Sequence, residues 1–332
     1  MIKKHILLLT TGGTIACAPG ADGLEPQPSN IMARELHLLQ TYYRITVEDV
    51  MCLDSSNISP LQWQEIARIV FNRQNHFDGI VISHGTDTMA YTASAVTFML
   101  PGIRLPVVFT GAQLPLTDVL SDGPDNLRTA LAMAASGVPG IFLAFDRRIM
   151  RGCRAVKVRA SDFSAFESVN SRYVGVISSR GLVLDPDVLP PAGGTPALLD
   201  NICSDVFLLK LTPGLSPDIF NALIAMGYKG IVMEAFGLGG INVLGNGLSG
   251  IRHAVENGIS VVVTTQCLYD SSDLQVYQVG SKLLELGVIQ GRDMTSEAAM
   301  TKLMWALGQG MTQTEIAGLF QQSLAGEITV EN

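Results

Sequence analysis

Short apolar runs alternate with helix-length amphipathic segments along the first 145 residues. The runs predict strands at residues 5–10, 45–53, 79–83, 106–110 and 141–145, and the segments between them predict helices at 61–75, 88–100 and 126–135. Continuous apolar strands that alternate with helices are typical of a parallel sheet covered on both faces. Because such sheets bind ligands at the carboxyl ends of their strands, the residues that follow each strand are the first candidates for chemistry.

The alternation stops between residues 181 and 195, where prolines and paired glycines end regular structure. A smaller set of elements follows, with strands predicted at 206–211, 230–234 and 259–264 and helices from 216 and at 247–257, 278–286, 295–307 and 312–321. The pattern predicts an α/β protein with a larger N-terminal parallel α/β domain that carries the catalytic residues. We expect this domain at 1–185, a linker at 186–204 and a smaller C-terminal α/β domain at 205–332.

Composition excludes several classes of protein. The 332 residues are 47% hydrophobic and 16% charged, which suffices for two cores and excludes a disordered chain. No apolar run approaches the roughly 20 residues of a membrane-spanning helix. Residues 1–190 carry 16 Lys and Arg against 17 Asp and Glu, and residues 191–332 carry 6 against 13. An acidic chain of this kind argues against a nucleic-acid partner.

The cysteines and the N-terminus both indicate the cytoplasm. Five cysteines form no CxxC pair, which favours free thiols in a reducing compartment. The apolar stretch at residues 6–9 is shorter than the roughly 7–15 residues of a signal-peptide core, so a buried first strand is the better interpretation.

The first chemical motif, Thr10-Thr11-Gly12-Gly13-Thr14, directly follows the first predicted strand. Two glycines allow the backbone to turn tightly and approach a ligand, and the hydroxyl of Thr14 could be a nucleophile if a base activates it. The alternative is a glycine turn capped by threonines. No GxxxxGK[ST] sequence occurs, so a nucleotide-binding P-loop is not supported.

The second motif, His84-Gly85-Thr86-Asp87-Thr88, joins a buried strand to a predicted helix. Asp87 could hold a ligand ammonium and Thr86 could attack or relay a proton, or either side chain could simply cap the helix. His84 is better explained as a hydrogen-bonded turn residue than as a metal ligand. Because the five histidines contain no pair at ligand spacing, no metal site is predicted.

Two further segments carry polar groups. Asp54-Ser55-Ser56-Asn57 ends the second long strand and could grip a small polar ligand or begin the helix at Pro60. A basic run contains Arg147, Arg148, Arg151, Arg154, Lys157 and Arg159. A solvated or subunit-contacting surface is its default interpretation, and a phosphate or RNA contact or one functional lysine is the alternative. Threonine hydroxyls, a lysine and a carboxylate are together the equipment for acyl transfer from an amide.

The two motifs, about seventy residues apart, resemble the two signatures of the asparaginase/glutaminase family. Further similar segments are Asp54-Ser55-Ser56, Thr110-Gly111-Ala112-Gln113, Ser121-Asp122-Gly123-Pro124 with Asn126, Arg151-Gly152 before Lys157, and residues 291–298 with Lys302. The resemblance covers most of the chain. Its second motif and its Asp293-Met294-Thr295 ending are most similar to the cytoplasmic, type I branch.

The resemblance implies an enzyme that converts L-asparagine to L-aspartate and ammonia through an acyl-enzyme, without a metal or cofactor. Thr14 would be the first nucleophile, and Thr86, Asp87 and Lys157 would form a second polar triad. Asp87 would also hold the substrate ammonium, and Ser55 and Ser56 would line the pocket, with Ser55 on the α-carboxylate. Backbone amides near Thr86 and Ala112 would contact the oxyanion. The family implies a homodimer or homotetramer whose sites lie between subunits.

Three positions depart from the family pattern. Leu24 stands where a loop tyrosine often activates the first threonine, so Tyr42, Tyr43 or the Lys157 triad would have to replace it. Ser271 stands where the periplasmic branch has a neighbouring subunit's glutamate, with Asp270 and Asp273 close by. An asparagine expected near Gly239-Gly240 is missing, and Asn242 is the candidate replacement.

Two other functions are compatible with the motifs. One is the asparaginase-like glutaminase subunit of a tRNA-dependent amidotransferase, but that branch carries a long extension before its first motif, whereas ten residues precede Thr11 here. The other is a non-catalytic module that keeps the fold and binds an amino acid. The set Thr14, Thr86, Asp87 and Lys157 favours the enzyme.

Overall fold

A computed structural model describes residues 3–20, 23–27, 32–190, 193–242 and 247–330, with the side chains of 19, 20 and 23–26 left out. The chain forms two compact units, residues 1–200 and 201–332. The domain limits 1–185, 186–204 and 205–332 stay a prediction. Within the described ranges, no helix has both the length and the apolar character needed to cross a membrane.

The first unit is organised around an eight-stranded sheet. Five parallel strands form its larger part: β1 (His5–Gly12), β4 (Arg44–Leu53), β5 (Gly79–Ser83), β6 (Pro106–Thr110) and β7 (Gly140–Phe145). Their spatial order is β4-β1-β5-β6-β7. All five were predicted from the sequence, because each is an apolar run, and β5 and β6 are buried along their whole length.

Three short antiparallel strands that the apolar pattern did not predict extend this sheet beyond β7. They are β8 (Arg148–Arg151), β11 (Gly175–Ser178) and β12 (Gly181–Leu184). Two hairpins lie outside the sheet, β2 (Cys17–Gly20) with β3 (Gly23–Pro26) and β9 (Ala155–Lys157) with β10 (Phe166–Ser168). The β9–β10 hairpin carries Lys157, which pairs with Phe166 in the ladder.

Helices cover the faces of this sheet, and the three predicted ones are confirmed with small shifts in their ends. The helices are α1 (Ala33–Leu39), α2 (Pro60–Arg73), α3 (Met89–Met99) and α4 (Gly123–Ala134). α2 begins after Ser59, whose side chain forms a capping box with Gln62 and leaves Pro60 at the first helical position. A core cluster that includes Leu8, Val81, Val108 and Phe142 joins the sheet to its helices.

The second unit has a four-stranded parallel sheet in the order β13-β14-β15-β16. Its strands are β13 (Val206–Lys210), β14 (Gly230–Ala235), β15 (Ser260–Thr265) and β16 (Ile289–Gln290), and its helices are α5 (Asp218–Ala225), α6 (Gly247–Glu256), α7 (Gln278–Glu285), α8 (Ser296–Gly308) and α9 (Gln313–Leu319). All of these except β16, which has two residues, follow the sequence prediction. Thr295 caps α8 by accepting a hydrogen bond from the backbone of Ala298.

A fully buried ion pair holds the end of the second unit. Lys302 of α8 donates to Glu327 at 2.5 Å and to the carbonyl of Gln322 at 3.0 Å, and both charged side chains are 0% exposed. The carboxylate of Glu327 also accepts backbone hydrogen bonds from Leu324 and Ala325. Removing only one partner of such a pair leaves an uncompensated charge in the interior.

Lys302→Met is therefore expected to lower the free energy of unfolding by about 3–5 kcal/mol. Urea denaturation of the purified protein measures this change. Arg172→Met is the matched control, because Arg172 pairs with Asp185 and Asp187 but is 61% exposed, and its loss should cost less than about 1 kcal/mol. Equal effects of the two substitutions would contradict the structural importance assigned to the buried pair.

Candidate active site

The strand order brings four polar segments to one edge of the first sheet. β4, β1, β5 and β6 are adjacent and parallel, with Thr10 opposite Ser83 and Ser83 opposite Thr110 in the register. The chain passes from β1 to β4 on one side and then to β5 on the other. This reversal of direction defines a topological switch point beside β1, where open α/β sheets bind their ligands.

Two glycines let these segments touch. Gly13 has a φ of +78°, and a Cβ placed there would lie 2.3 Å from the backbone nitrogen of Gly85. A Cβ on Gly85 would lie 2.6 Å from the Cβ and Oγ of Ser55. Both distances are far below a normal contact, so only glycine allows the backbones to pack this closely. Thr14, Ser55 and Thr86 each adjoin one of these contacts.

Thr14 begins a short 3₁₀ turn directly after β1. Gly13 N–H donates to the carbonyl of Leu53 at 3.0 Å, and the carbonyl of Gly13 accepts from Ala16 N–H at 3.0 Å and from the Cys17 thiol at 3.3 Å. Burial, helped by the nearby Asp54, raises the pKa of Cys17, so the thiol remains a neutral donor. Thr14 itself is half-buried, and its hydroxyl has no hydrogen-bond partner among the residues that the structure describes.

Lys157 joins the second motif through two direct contacts. Its Nζ donates to Thr86 Oγ1 at 2.8 Å and to Asp87 Oδ1 at 2.5 Å. Thr86 is 5% exposed, whereas the Asp87 side chain is 65% exposed and reaches solvent. Neither Thr86 nor Asp87 caps α3, whose N-cap position is Thr88 without a side-chain cap. The capping alternative for this motif is therefore wrong.

The segment after β4 is held by its own aspartate. Asp54 accepts hydrogen bonds from the Ser56 backbone at 2.8 Å and from the Ser56 hydroxyl at 2.6 Å, and both bonds lower the pKa of Asp54. Ser55 is 3% exposed, and its carbonyl accepts from Thr88 Oγ1 at 2.7 Å. The alternative that this segment begins α2 is wrong, because Ser59 caps that helix.

The turn after β6 packs against the second motif. Ala112 is 1% exposed, and a Cβ on Gly111 would lie 2.4 Å from the carbonyl of His84. Thr86 Oγ1 donates to Gln113 Oε1 at 3.2 Å. Sequence reasoning included Gln113 in a matching segment without giving it a role, since nothing in its neighbours along the chain indicates the contact with Thr86.

His84 is a buried turn residue, as the sequence predicted. Its Nδ1 lies 2.7 Å from the carbonyl of Gly85 and its Nε2 lies 2.9 Å from Thr92 Oγ1. A carbonyl only accepts, so Nδ1 carries the proton and Nε2 accepts from the threonine. Burial lowers the pKa of His84 from 6.5 to about 4, which keeps the ring neutral.

This buried imidazole should make stability depend on pH. Below pH 6.5 the unfolded chain protonates His84 while the folded protein resists until about pH 4, so the free energy of unfolding falls as pH falls through this window. The loss amounts to about 3 kcal/mol. His84→Asn, measured by urea denaturation at several pH values, should remove that component. His76→Asn, at an exposed histidine, should keep the dependence of the parent protein; an unchanged pH dependence in His84→Asn would contradict the account.

The basic run does not form one solvated surface, which corrects the default interpretation. Arg154 is 1% exposed and belongs to the interior of the unit. Arg151 donates to the carbonyl of Val188, Arg147 pairs with Asp125, and Arg159 pairs with Glu167. Lys157 is the member of the run that reaches the polar cluster at Thr86.

The departures from the family pattern are placed as follows. Tyr42 and Tyr43 precede β4, so they lie at the amino edge of the sheet, and the prediction that either activates Thr14 at the opposite edge is wrong. Leu24 lies in β3 opposite Pro19, and its side chain is outside the described part of the chain. Asn242, Asp270, Ser271 and Asp273 belong to the second unit, in the segments that follow β14 and β15.

Fold and site together define a two-unit α/β protein with a threonine–lysine–aspartate cluster at the switch point of its larger parallel sheet. Residues 5–188 match the family model described as "Asparaginase, N-terminal". Residues 205–320 match "Glutaminase/Asparaginase C-terminal domain". The chain belongs to the asparaginase family, as the two motifs predicted.

Similar proteins extend over almost the whole chain. L-asparaginase of Thermococcus kodakarensis is 42% identical over 98% of this chain and 99% of its own. L-asparaginase 1 of Escherichia coli is 34% identical over 100% of both, which confirms the resemblance to the type I branch. A glutamyl-tRNA(Gln) amidotransferase polypeptide of Methanopyrus kandleri is 35% identical over 98% of this chain and 75% of its own.

Solved structures confirm the predicted two-domain α/β fold. The thermostable L-asparaginase from Thermococcus kodakarensis superposes with a TM-score of 0.93 at 41% identity, over 98% of this chain and all of that one. A probable cytoplasmic L-asparaginase from Campylobacter jejuni gives a TM-score of 0.82 at 26% identity, over 97% of this chain and all of that one.

Proposed function

We propose that this protein hydrolyses L-asparagine to L-aspartate and ammonia through an ester formed on a threonine. The observation that carries the proposal is the cluster in which Lys157 contacts both Thr86 and Asp87. The cluster stands next to the turn that carries Thr14, because Gly13 packs directly on Gly85. The similarity to L-asparaginases along nearly the full chain supports the same substrate.

In the proposed reaction, Thr14 Oγ attacks the side-chain amide carbon of asparagine and its proton passes to the Thr86–Lys157 cluster. The carbon–nitrogen bond then breaks, and the nitrogen leaves as ammonia with the proton it receives. Water attacks the resulting ester, restores the Thr14 hydroxyl and releases L-aspartate. A neutral lysine amine suits the proton transfer, because it can take a proton from a hydroxyl and return it.

The remaining roles concern binding. Asp87, whose carboxylate is partly exposed, would hold the substrate ammonium. Ser55 would bind the α-carboxylate, and Ser56 would line the same pocket. Backbone N–H groups near Thr86 and Ala112 would stabilise the oxyanion, a type of contact that contributes several kcal/mol to many acyl transfers. These groups supply the whole reaction, so the proposal includes neither a metal ion nor an organic cofactor.

We further propose a cytoplasmic homodimer or homotetramer whose sites are completed by a second subunit. Five free cysteines support a reducing compartment, and the Campylobacter jejuni relative is described as a probable cytoplasmic enzyme. Several apolar side chains after β14 and β15 are exposed in the single chain, among them Leu238, Leu268 and Tyr269. Contact with a second copy would cover them.

The decisive experiment combines an ammonia assay with a binding assay on the purified protein. L-asparagine at millimolar concentration should release ammonia, and L-glutamine and D-asparagine in parallel reactions establish specificity. An amidotransferase component would instead favour L-glutamine. A binding module would gain thermal stability from L-asparagine without releasing ammonia. Absence of ammonia release by correctly folded protein would overturn the proposal.

A further inference from the structure

Gln113 contacts the second hydroxyl of the site from the turn after β6. Its Oε1 accepts a hydrogen bond from Thr86 Oγ1 at 3.2 Å, and Thr86 in turn accepts one from Lys157 at 2.8 Å. We infer that Gln113 is a positioning residue that fixes the direction of the Thr86 hydroxyl proton and thereby controls turnover. The inference rests on the proposed function and assigns Gln113 a role in the same site.

The orientation of the Gln113 amide follows from its other contacts. Its Nε2 donates to the carbonyl of Ala160 at 2.9 Å and to that of Asp162 at 3.2 Å. Carbonyl oxygens only accept hydrogen bonds, so the NH₂ group must face them. The amide oxygen is consequently the atom that faces Thr86, and turning the amide around would set two oxygens against the carbonyls.

The proton of Thr86 is assigned by the same reasoning. A threonine hydroxyl has a single proton to donate, and the ammonium form of Lys157 only donates. With Lys157 as donor on one side, the Thr86 proton points to Gln113 Oε1 on the other. The oxygen of Thr86 therefore turns its remaining lone pair away from both neighbours, in the state in which the lysine is charged.

Proton transfer requires this arrangement to change in one defined step. When Lys157 is a neutral amine, the Thr86 proton can turn from Gln113 Oε1 to Lys157 Nζ, and the hydroxyl oxygen becomes the better acceptor for a proton from an attacking group. The 3.2 Å contact is longer than the usual O–H···O distance of about 2.7–2.8 Å. It directs the hydroxyl while leaving the proton easily moved, and Gln113, a neutral amide, takes up no proton itself.

The turn that carries Gln113 is fixed from α4. Asp122 accepts backbone hydrogen bonds from Gln113 at 2.9 Å and from Leu114 at 3.1 Å. Asn126 Nδ2 donates both to Asp122 at 2.9 Å and to the carbonyl of Gly111 at 3.0 Å. These contacts give a role to two segments that sequence reasoning noted only as matches, and they hold the glutamine where its side chain meets Thr86.

Gln113→Met keeps the length of the side chain and removes both the acceptor and the donors. We expect kcat for ammonia release from L-asparagine to fall by roughly tenfold, with KM changed less than about threefold, because the interaction acts on proton transfer rather than on binding. The matched control is Gln313→Met in the second unit. The amide of Gln313 also donates to two carbonyls, those of Val255 and Ile259, at 3.2 and 3.0 Å.

Gln113→Glu supplies a readout that loss of packing does not produce. The carboxylate can still accept from Thr86 but adds a negative charge beside Lys157, which favours the charged form of the amine. The acidic limb of the kcat/KM profile should move to higher pH by about one unit, with activity recovering on the alkaline side. Gln313→Met should leave both kcat and the profile unchanged.

The outcomes separate this inference from the proposed function. If the parent protein releases no ammonia, the proposed function fails, whatever the variants do. If the parent is active and Gln113→Met retains its kcat, or Gln113→Glu keeps the parental pH profile, the inference is wrong and the function stands. Should the methionine variant not fold, as judged by its thermal unfolding, the profile of Gln113→Glu decides alone.

Discussion

Replacement of Thr14 by alanine should lower kcat/KM for L-asparagine by at least about a thousandfold. The variant lacks the only atom proposed to form the ester with the substrate, and removing a nucleophile from a comparable catalytic cluster costs this much or more. Folding should be preserved, because the Thr14 hydroxyl has no hydrogen-bond partner among the described residues and the loss of one small side chain leaves the Gly13 contacts in place. A coupled ammonia assay measures the effect.

Thr14→Ser and Thr41→Ala are the controls for this prediction. The serine variant keeps a hydroxyl and should retain measurable turnover, whereas Thr41 is exposed, lies next to β4 at the amino edge and bonds only to the carbonyl of Leu38. Near-normal activity of Thr14→Ala would show that another group forms the ester. In that case Thr86 would be the next candidate.

Lys157→Met is the second substitution with a large expected effect. It removes the donor to Thr86 and Asp87 together, so the hydroxyl loses its proton acceptor and the carboxylate loses its partner. We expect kcat to fall by roughly a thousandfold, within the range of general acid–base catalysis. Stability should change little, because Asp87 is 65% exposed and is solvated once the lysine is gone.

Two further variants separate charge from proton transfer at this position. Lys157→Arg keeps the positive charge but has no accessible neutral form, so it should not restore turnover if the amine acts as a base. Arg147→Met removes a charge of the same basic run that pairs with Asp125 at the surface, and it should leave activity unchanged. An active Lys157→Arg enzyme would reduce the role of Lys157 to electrostatic support.

The parallel part of the fold was predictable because its strands are buried on both faces. β5 and β6 read as continuous apolar runs, and the amphipathic period of the segments between strands gave α2 and α4 within a few residues. β8, β11 and β12 were not predictable in this way. They are short, partly exposed and include polar or charged residues, and their pairing depends on partners far along the chain.

The candidate site followed the same division. Thr14, Thr86 and Asp87 lie in compact motifs directly after buried strands, so the sequence alone brings them to one edge of a parallel sheet. The contact between Thr86 and Gln113 joins residues 27 positions apart, and the amide of Gln113 is turned by carbonyls nearly 50 positions further on. The burial of Arg154 was missed for a similar reason, because a charged run with no visible partner is normally solvated.

The central claim is that L-asparagine passes its acyl group to an enzyme hydroxyl before water takes it. L-asparagine and the β-methyl ester of L-aspartate have different leaving groups but would form the same ester on Thr14. With hydroxylamine present, that ester divides between aspartate and aspartyl hydroxamate, and the ratio of the two products should be the same for both substrates at a given hydroxylamine concentration. Different ratios, or consumption of both substrates without any hydroxamate, would contradict the common acyl-enzyme.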